Sequence, residues 1–95
     1  MAGEVLTLLD NASATGSPVR AIGGKYLFVE DGTLGGATIT LEFHDDASAG
    51  WVPIAGTAQT SDSAQMVELP QGQYRAGVTG GTPSALYASL HRISN

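Results

Sequence analysis

The sequence predicts an all-β domain: an antiparallel β-sandwich or small barrel of seven to eight strands in a Greek-key or jelly-roll-like order. Three observations predict it. Apolar and polar residues alternate with period two in several short windows, while no longer window carries an apolar stripe of helical period. Gly, Pro, Asp and Ser separate those windows. No helix-length crossover lies between any two of them, which excludes βαβ units, so one-sided apolar faces must cover each other.

Taken in order, Glu4–Leu9 has strand character, and Asp10–Pro18 is composed of turn formers and reads as a flexible loop. Val19–Ile22 is a short strand that Gly23-Gly24 breaks. Lys25–Glu30 has high β propensity with apolar side chains on both faces, the pattern of a central strand. Asp31-Gly32 and Gly35-Gly36 bracket a hairpin loop. The next strand alternates cleanly, with Ala37, Ile39, Leu41 and Phe43 on one face and Thr38, Thr40, Glu42 and His44 on the other.

Asp45–Gly50 is a surface loop leading to Trp51–Ile54, a strand that Pro53 confines to an edge or a bulge because it lacks an N–H. A polar loop over Ala55–Ala64 precedes Gln65–Leu69, with Val67 and Leu69 on one face. Pro70-Gln71-Gly72 is expected to turn the chain into Gln73–Thr79, where Tyr74, Ala76 and Val78 face inward. After a turn at Gly80–Pro83, Ala85–Ile93 closes the domain, with Leu86, Ala88 and Leu90 inward and Tyr87, Ser89 and His91 outward.

Ninety-five residues make one domain, and a folded chain of this mass exposes about 5,000 Å², burying roughly two thirds of its extended surface. No apolar run is long enough for a transmembrane helix, and Met1-Ala-Gly-Glu4 has no basic leader, so neither a membrane partner nor a signal peptide is expected. The absence of cysteine excludes disulfides, thiolate metal sites and thiol catalysis. A net charge of −5, with Arg20, Lys25, Arg75 and Arg92 spread along the chain, argues against a nucleic-acid partner.

Candidate chemistry is sparse. Glu42, His44, Asp45 and Asp46 place three carboxylates and an imidazole within five residues. On a strand, however, Glu42 and His44 share a face while Asp45 points away, so a solvated face running into a turn is the favoured reading and no metal is assigned. His91 and Ser89 come with no nucleophile elbow or oriented base, and the expectation is a protein that is not an enzyme and holds no cofactor. Gly23-Gly24-Lys25 lacks the spacing of a phosphate loop and precedes a strand.

The aromatic residues are more informative. Trp51 heads an edge strand and is either an anchor of the core or part of a contact surface. Tyr26 and Phe28 share a face that is read as outward; with Tyr87 and Ile93 they would leave an apolar patch too large for a free monomer. Tyr26, Phe28, Trp51, Tyr87 and Ile93 are therefore the candidate interface, and a homo-oligomer, a trimer among the candidate states, is expected. A carbohydrate- or ligand-binding β-sandwich using Trp51 and Tyr87 is the competing reading.

Four segments carry a resemblance: Gly24-Lys-Tyr-Leu-Phe-Val-Glu30, Gly35-Gly-Ala-Thr-Ile-Thr-Leu-Glu42, Gly50-Trp-Val-Pro-Ile54 and Leu69-Pro-Gln-Gly-Gln-Tyr-Arg-Ala76. Together they resemble small structural proteins encoded in the head genes of tailed bacteriophages, over about Gly23 to Ile93. The resemblance implies a β-rich virion component without enzymatic activity, on the capsid surface or at the neck. It would decorate or stabilise the shell against the major capsid protein or other virion subunits, or sit at the head–tail junction. The chain departs from lambda-type decoration proteins, in which a disordered arm rich in Thr and Pro precedes a small mixed domain. Here a strand candidate precedes Asp10–Pro18.

Overall fold

The computed structural model describes residues 5–93 and holds six strands in one antiparallel sheet. These are β1 (Val5–Ala12), β2 (Val19–Thr33), β3 (Thr38–Asp45), β4 (Gly50–Pro53), β5 (Ser63–Thr79) and β6 (Ser84–Arg92). Their spatial order is β1-β6-β2-β5-β3-β4. The accessible surface is 5097 Å² and the radius of gyration 12.5 Å, in line with the scaling expected for one compact unit of this length.

Six strands stand where eight segments are expected because two pairs of segments are continuous. Val19–Ile22 and Lys25–Glu30 are both parts of β2, and Gln65–Leu69 and Gln73–Thr79 are both parts of β5. The residues read as breakers bend these strands without ending them. Pairing keeps one register from Val19↔Tyr74 to Glu30↔Ser63 and omits only Gly23 opposite Pro70, so Gly23-Gly24 faces the Leu69-Pro70-Gln71 segment across the ladder. Gly23 has φ 83 and Gly24 φ 127, values that suit a residue without Cβ. Pro70 supplies no donor there, and the Tyr74 hydroxyl donates to its carbonyl at 2.5 Å, closing the bend. Burial, with a smaller contribution from the neighbouring Tyr26, raises the Tyr74 phenol to about 12, so it keeps the proton this bond needs.

The bend gives the β2–β5 ladder two halves with different neighbours. Beyond it, Tyr26–Thr33 of β2 pairs with β6, which pairs in turn with β1. Before it, Tyr74–Thr79 of β5 pairs with β3, which carries β4 at its edge. Both halves turn their inner faces onto one core containing Leu8, Leu9, Phe28, Leu86 and Leu90 from the first half and Ile39, Leu41, Tyr74 and Ala76 from the second.

Other expectations change with the topology. Asp31–Gly36 is not a hairpin, because β5 lies between β2 and β3. The expected loop after the first strand shrinks to Ser13–Pro18, since Asp10–Ala12 belong to β1; Glu4 lies outside the described residues. This loop is tied to β5, with Gly16 N donating to Ala76 O at 3.2 Å and Val78 N donating to Thr15 Oγ1 at 3.0 Å. β4 is an edge strand, as Pro53 requires. Past its end, Thr57 seals β3: its buried hydroxyl accepts Leu41 N at 3.1 Å and donates to Ile54 O at 2.7 Å.

Candidate contact surface

Two outward faces result, one on each half of the sheet, and their chemistry differs. In antiparallel pairs, directly opposed residues point to the same side, and every second residue shares that side. Along β2 the core side is Tyr26, Phe28 and Glu30, all buried. The outward side is therefore Lys25, Leu27, Val29 and Asp31.

This corrects the expected phase of the strand. Tyr26 and Phe28 are both 0% exposed and belong to the core, so they cannot form an interface. Either phase of Lys25–Asp31 pairs two large apolar residues with a charge. Glu30 lies in the same phase as Tyr26 and Phe28, and the sheet buries it with them.

Across the sheet, register builds rows on the outward face of the first half. Leu27 is opposite Met66 on β5 and His91 on β6, and His91 is opposite Val5 on β1. The next row is Ala64, Val29, Ser89 and Thr7. Val5 is 56% and Met66 54% exposed at the two margins, and Leu27 and Val29 are half-buried between them. Tyr87, 45% exposed, stands beside Asp31 at one end of the face. Ile93 is half-buried just past β6, its N–H donating to Lys25 O at 2.8 Å at the opposite end. Of the five candidate interface residues, only Tyr87 and Ile93 belong to this face. Leu27, Val29 and Met66 share the face with them, and their signal is the second apolar phase of Lys25–Asp31 and its continuation onto Gln65–Val67.

Trp51 lies on the other outward face and lies outside the core cluster. It stands opposite His44, whose ring centroid is 4.9 Å from its own. The Arg75 guanidinium covers it, with Cζ 4.5 Å from the ring centroid. Arg75 Nε also donates to Glu42 Oε1 at 2.6 Å. The carboxylate rests on Gly77, where an added Cβ would come within 2.6 Å of its Cδ. The expected acidic cluster is thus divided among separate contacts. Glu42 is paired with Arg75, His44 Nδ1 is 2.9 Å from Asp46 Oδ1, and Asp45 accepts from Ala47 N and Ser48 Oγ. Among the described residues, no group of three His, Cys, Asp or Glu side chains is disposed to hold a metal.

Glu30 is a buried carboxyl of the first half, at 1% exposure. Its Oε2 accepts from Ser63 Oγ at 3.0 Å, while Oε1 has no partner among the described residues. Burial pushes its carboxyl from 4.5 to about 7; the Ser63 hydrogen bond opposes this, and the charges of Asp62 and Asp31 add to it. No described base or nucleophile is hydrogen-bonded to it beyond the Ser63 hydroxyl, so its chemistry is that of a core residue.

Arg92 is also committed to the framework, donating to Gly23 O at 2.8 Å with its guanidinium 5.9 Å from the Tyr26 ring centroid. Arg20 and Lys25 are exposed. In comparison with known proteins, no family model, curated protein or solved structure matches this chain.

Proposed function

We propose that this chain is a non-enzymatic structural subunit that works by covering the outward face of β1, β6, β2 and β5 against a neighbouring protein. Following the resemblance of its sequence segments, the neighbour is a bacteriophage capsid shell, or the head–tail junction, which many copies decorate or stabilise. One observation carries the reading: the face centred on Leu27 and Val29, with Val5 and Met66 exposed at its margins. Val5, Leu27, Val29, Ala64 and Met66 on one open face, with His91 and Ser89 of β6 between Val5 and the rest, are the kind of surface that contact with a partner removes from water. In the same reading the two half-sheets are the layers of a β-sandwich joined through the β2–β5 ladder. The net charge of −5 suits a subunit on the outside of a particle rather than against its genome. Multiplicity supplies the strength of attachment, so a modest patch per copy suffices.

The test is co-sedimentation of the purified protein with cognate phage shells assembled from a major capsid protein. Saturable binding is expected, and Met66→Glu or Leu27→Asp should abolish it without unfolding the chain. No binding to shells or neck assemblies would remove the virion role.

The face around Trp51 favours a second reading, a glycan-binding module, because an indole, Arg75, Glu42 and His44 converge there. Against it, Arg75 occupies the ring face on which a sugar would stack. A glycan array, read with Trp51 fluorescence, decides between them.

A further inference from the structure

The acidic end of the same outward face carries a groove of about 300 Å³. Val5, Val29 and Ser89 contribute to its lining, with Tyr87, Asp10 and Asp31 around them. Register explains how three separate strands bring these polar groups together. Asp31 of β2 is directly opposite Tyr87 of β6. On the other side of β6, the pairing with β1 shifts between Leu9↔Ala88 and Ala12↔Leu86, so three steps of β1 span two of β6. Asp10 lies in that bulge, beside Asn11 at φ 52, and reaches the groove that Tyr87 lines. Tyr87 is thus flanked by a carboxylate from each neighbouring strand. Among the described residues, neither Asp10 nor Asp31 takes part in an ion pair or a side-chain hydrogen bond. The four cationic residues are placed elsewhere: Arg75 and Arg92 are in the contacts described above, Arg20 is in the other half, and Lys25 is six residues along β2, about 20 Å away.

We infer that this groove receives a lysine or arginine side chain from the protein that the face contacts. The inference rests on the proposed contact role and names the chemistry of the partner. The volume is at the lower limit of small-molecule sites and suits one long side chain. The methylene stem lies along Val5 and Val29, as cationic side chains do on apolar surface. The charged head sits at Tyr87, where the ring face and two carboxylates attract it together. An acidic peptide or a phosphate would meet the negative charges of Asp10 and Asp31 in the same place. Of the two cations, arginine is the better fit, because its planar fork can bridge carboxylates on both sides of a ring.

The experiment is an amide NMR titration of the full chain with N-acetyl-arginine amide and, separately, with N-acetyl-citrulline amide, which has nearly the same shape and no charge. Saturable shifts confined to Val29, Asp31, Tyr87, Ser89 and their neighbours are expected, with the citrulline compound at least about fivefold weaker. The double variant Asp10→Asn, Asp31→Asn should weaken arginine binding by a similar factor. Its substitutions are at exposed positions, and its own spectrum reports whether it is folded. If it is not folded, the citrulline comparison on the unaltered chain still decides. Equal responses to the two compounds, no localised saturable shift, or undiminished binding by a folded double variant would each overturn the inference. Arginine binding by a protein that fails to bind shells would retain the groove and remove the virion role, so the two readings fail separately.

Discussion

The Ser63 hydroxyl donates to Glu30 Oε2 at 3.0 Å, a hydrogen bond between two directly paired residues of β5 and β2. It is the only one that this buried carboxyl makes among the described residues, and it does not offset burial: the group titrates near 7 in the folded chain. Because the folded value lies above the unfolded one, the contribution of Glu30 is most favourable below pH 4.5. It declines as pH rises toward 7 and is level beyond that. The span is on the order of 3 kcal/mol at most. Urea midpoints should therefore fall between pH 5 and 7.5, and Glu30→Gln should flatten that fall and stabilise the chain at pH 8. A variant as pH-sensitive as the parent would show that another group is responsible.

Thr57 offers a test of the β3 seal. Replacing it with Val keeps the shape and leaves the Leu41 N–H without the acceptor it has at 3.1 Å. The expected cost is about 1–3 kcal/mol by denaturant unfolding, and Thr57→Ser should recover most of it. Faster hydrogen exchange of the Leu41 amide would place the effect at this bond.

Arg75 couples Glu42 to Trp51. A double-mutant cycle of Arg75→Ala and Glu42→Ala should give about 1 kcal/mol of coupling, because both side chains are partly shielded yet still wetted. Arg75→Lys should lose most of it, since lysine has no Nε–H and no planar group to lay over the indole. Trp51 fluorescence should shift in both Arg75 variants and remain close to the parent in Glu42→Gln.

Neighbours along β2 should respond to very different degrees. Phe28→Ala removes a ring from the core, at a cost of about 3–5 kcal/mol. Leu27→Ala, on the outward side, should cost about 1 kcal/mol while weakening association with a partner. Comparable destabilisation by the two would contradict the assigned phase.

Most of the local structure was legible because its signals act over a few residues. Ala37, Ile39 and Leu41 alternate into the core as read, Tyr74 and Ala76 do likewise, and Pro53 marks an edge. What failed depends on what lies across the sheet. Gly23-Gly24 and Pro70–Gly72 each carry turn chemistry, but turn formers placed opposite one another in a ladder can bend both strands together, and only the pairing shows that. The phase of Lys25–Asp31 was ambiguous for a similar reason: a strand apolar on both sides does not say which side its neighbours cover. The outward face inherited that ambiguity: Tyr87 and Ile93 were read on it, and Leu27, Val29 and Met66, which share it, were not. Asp10 beside Tyr87 could not have been found, since a bulge between distant strands brings them together.

The constant register between β2 and β5 has a kinetic meaning as well. Each half of the sheet hangs on β2 and β5, which continue into the other half, so opening either half disturbs the ladder they share. Amides of β2 and β5 that donate across their shared ladder should have one common protection free energy, that of global unfolding, once each is corrected for its intrinsic exchange rate. Forming that ladder means closing a loop of more than thirty residues between Glu30 and Ser63 before either half gains its neighbours. Refolding is then a single slow event, in the millisecond-to-second range of non-local β domains, with no stable partial state for a protease to find.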